Sequence, residues 1–171
     1  MVVAPYLDIL LLLLVAFAAI NDLASRRIPN LLLLTGLIAA LSLHAVSPQP
    51  GTALLACFGG AAVGLLVFLP FYLMRGMAAG DVKMMATVGA FTGPAAALHI
   101  AIFAWCAGGV MALAFILFQG RLRLALTNVW SMVRQAALRL PITRMEAQPS
   151  AGSIPYGVAI AAGTIYFLMS R

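Results

Sequence analysis

The chain is 171 residues long, 64% hydrophobic and only 8% charged, with a mean hydropathy of +1.10, against roughly 25% charged residues in an average soluble domain. That composition excludes a soluble catalytic domain and points to one all-α integral membrane domain over residues 1–171, in which a few spans use nearly every residue. The formal charge of +6 does not argue for nucleic acid, because the basic residues are few and lie between apolar runs, where they orient a chain in the bilayer.

Six apolar segments follow in chain order, bounded by polar or Pro/Gly breaks. The first, Pro5 to Leu23, carries Asp8 near its start and Asp22 near its end; no Lys or Arg precedes it, so it reads as an uncleaved span rather than a secretory signal. The second runs from Ile28 to Val46 and the third from Thr52 to Leu73. Val82 to Phe91 makes a short fourth, reaching about 15 Å of a ~30 Å hydrocarbon core, so it must tilt, thin the bilayer or shelter inside the bundle. Pro94 to Gln119 is long enough to span, and Ile154 to Met169 spans if neighbouring helices shield its ends.

Between the last two segments, over residues 121–140, Arg123, Thr127, Ser131, Arg134 and Gln135 recur at helical spacing opposite Leu122, Leu126, Val129, Trp130, Val133 and Ala137. The pattern predicts a cytoplasmic amphipathic helix lying in the interface. A Pro/Ser/Gly stretch from Gln148 to Ser153 links it to the last segment.

If the six segments alternate, Arg26, Arg27, Arg75, Lys83, Arg121, Arg123, Arg134, Arg139 and Arg144 all fall on one side, which the positive-inside rule makes the cytoplasm. Both termini are then outside. The short turns Ser47 to Gly51 and Thr92 to Pro94 carry no charge, as external turns should. His44 and His99 lie near external ends without further ligands, so no metal site is expected. Cys57 and Cys106 form no Cys-x-x-Cys pair and read as small packing residues. Gly59-Gly60 and Gly108-Gly109 are expected to let helices approach closely.

The chain has only four acidic residues in which to place chemistry, and an acid within an apolar bundle is a functional candidate by default. Asp8 falls near the external end of the first segment and Glu146 in a Pro-flanked linker. Asp22 and Asp81 come to the same cytoplasmic depth, although far apart in sequence. Amide hydrolysis needs an activated water and a proton for the departing nitrogen, and two close carboxylates sharing one proton supply both. Gly80, next to Asp81, would let backbone and substrate approach and would tolerate unusual dihedrals. The competing reading is ion pairing, of Asp22 with Arg26 one helical turn on and of Asp81 with Lys83 or Arg75.

Three stretches carry a resemblance. Asp22 followed by Arg26-Arg-Ile-Pro-Asn30, then Ala79-Gly-Asp-Val-Lys-Met84, and finally Ile154-Pro-Tyr-Gly-Val-Ala-Ile-Ala-Ala-Gly163 resemble, in order and membrane placement, the type IV prepilin peptidases, membrane aspartyl proteases of the Gly-x-Gly-Asp type. Their motif would place glycine at 78, where this chain has Ala78. The resemblance implies cleavage of the short basic leader from a prepilin or pseudopilin, at the cytoplasmic face of the bacterial inner membrane. Asp22 and Asp81 would be the catalytic pair, with Gly80 shaping the loop. Lys83, Pro155, Tyr156 and Gly157 would support the site or touch substrate, and no metal or organic cofactor is implied.

The chain looks like the short form associated with Flp or tight-adherence pili, without the N-terminal cytoplasmic segment and paired cysteines of longer members. Methyltransferase activity and an S-adenosylmethionine site are therefore not expected. A non-catalytic membrane assembly protein holding a pilin-like helix, or a small ion-coupled transporter, would use the same acids differently.

Overall fold

The computed structural model describes residues 3–74, 76–118, 130 and 155–170. Among the described residues six helices have defined bounds and there is no strand: α1 Val3–Ser25, α2 Asn30–Ala45, α3 Pro50–Leu73, α4 Ala79–Thr92, α5 Pro94–Phe118 and α6 Tyr156–Met169. This is a membrane helix bundle. The amphipathic helix expected over residues 121–140 lies outside the described residues, apart from Trp130.

Prolines and one strained turn set the boundaries. α1 closes where Arg26 takes the left-handed conformation (φ 55°) and its N–H donates to the Asp22 carbonyl at 2.9 Å. Pro29, extended at ψ 126°, then opens α2. Pro50 is the first residue of α3, where its missing N–H costs nothing. Gly93, with φ 82°, ends α4 in a conformation that a side chain would strain, and Pro94 starts α5 directly afterwards.

Three helices are long and apolar enough to cross a membrane, over Pro5–Ser25, Pro50–Leu73 and Pro94–Phe118. The other three contain 16, 14 and 14 residues, or about 21–24 Å of helix at 1.5 Å per residue. α4 is longer than the expected Val82 to Phe91, because its first turn begins at Ala79 and already contains Asp81. It resolves its shortness by shelter, since nine of its residues from Asp81 to Phe91 are buried.

The chain divides into two compact units, one of residues 1–108 with 155–171 and one of residues 109–154. The described part of the second consists of the last turns of α5 and Trp130. Within the first, α3 and α4 meet through their backbones. A Cβ added at Gly60 would land on the Gly89 carbonyl, and one at Gly64 on the Met85 carbonyl, so only glycine permits this approach. Gly59, by contrast, faces Pro94 at ordinary contact distance.

α1 packs against α2, α4 and α6 through Leu11, Leu14, Val15 and Ala18, which are buried along one stripe. Asp22 is the next position of that stripe toward the helix end and is 6% exposed. At the far end of the bundle the His44 Nε2 lies 3.1 Å from the Ala90 carbonyl, one of the last-turn acceptors that α4 cannot satisfy internally.

Candidate active site

Each carboxylate is held by a backbone N–H at the start of a helix. Asp81 is the third residue of α4, and its Oδ2 accepts a hydrogen bond from the Ala78 N–H at 3.2 Å. That is the side-chain half of a capping box, made without a hydroxyl partner. Asp22 sits near the end of α1, and its Oδ2 accepts from the Gly157 N–H at 2.8 Å, in the first turn of α6. Both acids thus lie against the positive ends of helix dipoles, which favour anions.

Like charges are brought together by this arrangement. Asp81 is also 6% exposed and lies within electrostatic reach of Asp22. Arg26 lies within electrostatic reach of Asp22, as its spacing one turn along α1 predicts. That pairing does not remove Asp22 from the site, because the same carboxylate also binds α6. Lys83 turns elsewhere: its Nζ donates to the Asn30 Oδ1 at 3.0 Å, rather than to either aspartate.

The other sequence candidates fall into place unequally. Gly157 gives the Asp22 carboxylate room, since an added Cβ would stand 2.9 Å from its Oδ2 and 3.2 Å from its Cγ and would push the carboxylate aside. Pro155 caps α6 and fixes its entry. Tyr156 is half-buried at the first helical position, and the charge of Asp81 reaches it. Gly80, however, is an ordinary helical residue of α4 whose added Cβ would meet Ile28 at 3.4 Å. Gly80 thus takes ordinary helical dihedrals, although glycine would tolerate others. Ala78 is extended (φ −80°, ψ 152°) and exposed, a conformation open to any residue, so the methyl group there imposes no backbone strain.

Some contributors were not visible in the sequence. The Ala78 N–H is a main-chain donor with no side-chain signature. Gly108, noted only as a packing residue, leaves the space that the Tyr156 ring fills: a Cβ there would lie 2.5 Å from its Cε2 and 2.7 Å from its hydroxyl oxygen. Phe68 meets Tyr156 edge-on at 6.1 Å and stacks on Trp105 at 6.0 Å, building an aromatic wall from α3, α5 and α6 behind the tyrosine. Gly109, its neighbour in sequence, faces open space.

Comparison with known families adds an independent finding, for the type IV leader peptidase family model matches residues 9–113, more than half of the chain and including both aspartates. The chain belongs to the type IV leader peptidase family. Membership makes it a membrane peptidase at the level of class. α6 lies beyond the stretch matched by the leader peptidase model, so its place beside Asp22 rests on the Gly157 bond. No curated protein and no solved structure gives a significant match.

Proposed function

We propose that this chain is an aspartic-type endopeptidase that removes the short basic leader from a pilin-like precursor of the Flp type. The observation that carries the reading is the pair of buried acids, Asp22 and Asp81, each tethered through one oxygen by a helix-start N–H and within reach of the other's charge. Tethering one oxygen of each carboxylate leaves the second available for chemistry.

In this mechanism the two carboxylates share one proton. The ionised member takes a proton from water as the water oxygen attacks the scissile carbonyl carbon, and the protonated member passes its proton to the amide nitrogen as the C–N bond breaks. The pair titrates as a unit, so neither proton is assigned to one residue. Tyr156, beside Asp81 and braced by Phe68, is the group we assign to binding the substrate backbone.

Nine of the ten basic residues fall on the side of the chain that carries both acids if the segments alternate, which supports a multi-pass protein of the bacterial inner membrane with the site at its cytoplasmic face. A leader ending at that face, followed by an apolar helix in the bilayer, would reach the dyad without crossing the membrane.

The test is cleavage of a co-reconstituted precursor followed by mass spectrometry. Asp22→Asn and Asp81→Asn should each reduce processing by about four orders of magnitude, the scale of losing a residue that acts within a catalytic unit. Full processing by either variant overturns the aspartic mechanism. Normal cleavage with failed pilus assembly would point instead to an assembly role, and ion flux without proteolysis to a transporter.

A further inference from the structure

Lys83 is placed on α4 two residues from Asp81, roughly 200° around the helix, so it faces away from the acids. Its position there has a counterpart in an open cavity of about 750 Å³ between α2 and α3, floored by α4. The cavity is within the range of about 300–1,000 Å³ typical of small-molecule sites.

Leu34, Leu37, Ala62 and Leu65 form its walls, and Ala86 and Thr87 its floor. Leu34 is 53% and Leu65 40% exposed, so the walls open sideways, where a membrane protein meets acyl chains. From Asn30 to Leu37 the α2 wall runs about 10 Å, roughly a third of the hydrocarbon thickness.

One end of this apolar groove is polar. The Lys83 ammonium and the Asn30 amide, bonded at 3.0 Å, both line the cavity. Among the described residues the hydrogen-bond partner of the Lys83 ammonium is thus a neutral amide. Asn30 receives that bond through its oxygen, leaving its NH2 group as a further donor beside the ammonium. A cation and an amide donor at the mouth of a groove that is otherwise aliphatic match one kind of occupant, with an anionic head and an apolar tail.

We propose that this groove is a binding site for an anionic glycerophospholipid, whose phosphate is held by Lys83 and Asn30 and whose acyl chain lies along Leu34, Leu37, Ala62 and Leu65. Because the site stands on the opposite face of α4 from Asp81, it is separate from the proposed dyad. Its test does not depend on proteolysis.

The full-length protein, stripped of lipid in detergent, is offered phosphatidylglycerol or phosphatidylcholine of identical chains and read by native mass spectrometry. Wild type should retain one phosphatidylglycerol per chain with about a fivefold preference, the effect of one basic side chain on an anionic lipid. Lys83→Met should bring the preference close to unity and Lys83→Arg should keep it. Ala62→Trp, filling the groove, should lose tight retention of both lipids.

A photoactivatable phosphatidylglycerol on the wild-type protein should label the α2 and α3 walls, which keeps the proposal testable if a variant fails to fold. Equal retention of the two lipids, an unchanged preference in Lys83→Met, undiminished binding by folded Ala62→Trp, or labelling elsewhere would overturn it. So would one-for-one displacement of the lipid by a synthetic apolar pilin-like helix, which would assign the groove to a protein partner.

Discussion

Replacing Gly157 with alanine isolates the contact that sets Asp22. The added Cβ would lie 2.9 Å from the Asp22 Oδ2 and 3.1 Å from its Cβ, where ordinary contact begins near 3.4 Å. The carboxylate must therefore retreat by about half an ångström, and a catalytic group misplaced by about 1 Å loses about a hundredfold in rate. A tenfold fall in kcat/KM is the matching expectation.

Stability should move much less. Alanine gains about 1 kcal/mol over glycine in a helix, which offsets the weakening of a bond to a charged group worth about 1.5–3 kcal/mol when intact. At about 2–4 °C per kcal/mol for a chain of this size, a net loss of at most about 2 kcal/mol should lower Tm by no more than about 8 °C. Precursor cleavage in proteoliposomes gives the first number and thermal unfolding in detergent the second. Wild-type kcat/KM would show that the Gly157 bond does not position a working Asp22. A Tm fall of more than about 8 °C would make the lost activity a consequence of unfolding instead.

Three further outcomes follow from the same geometry. Gly60→Val drives a side chain into the Gly89 carbonyl, where neither backbone can yield; it should cost about 3 kcal/mol, read as earlier thiol labelling of the buried Cys57 on a Cys106→Ser background. Tyr156→Phe keeps the ring against Phe68 and Gly108 while deleting the hydroxyl, so Tm should hold and kcat/KM should fall about tenfold, the cost of one lost substrate hydrogen bond. Asp81→Asn retains an acceptor for the Ala78 N–H and removes one of two like charges, so the inactive variant should melt no lower than wild type, whereas Asp81→Ala should melt lower by losing the helix-start bond, about 1 kcal/mol.

Composition made the all-helical membrane bundle legible in the sequence, because bilayer thickness acts on each segment separately. The inward faces were not legible. α1 is apolar on every side, so nothing in its pattern distinguishes buried Leu11 and Val15 from exposed Leu13 and Phe17. The beginning of α4 was missed for a related reason: Ala79 and Gly80 read as a polar break, while the Asp81 carboxylate caps the helix they start. Gly157 stood out by resemblance alone, and its physical role depends on a contact made 135 residues away.

That separation bears on when the site comes into being. The bond from Ala78 to Asp81 joins residues three apart and forms as soon as α4 winds its first turn. The bond from Gly157 to Asp22 joins an early helix to the last described one. During synthesis the ribosome releases α1 and α4 long before α6, so a growing chain holds one acid in place while the other waits. The final geometry arrives only when α6 has docked, after every other described helix has been made.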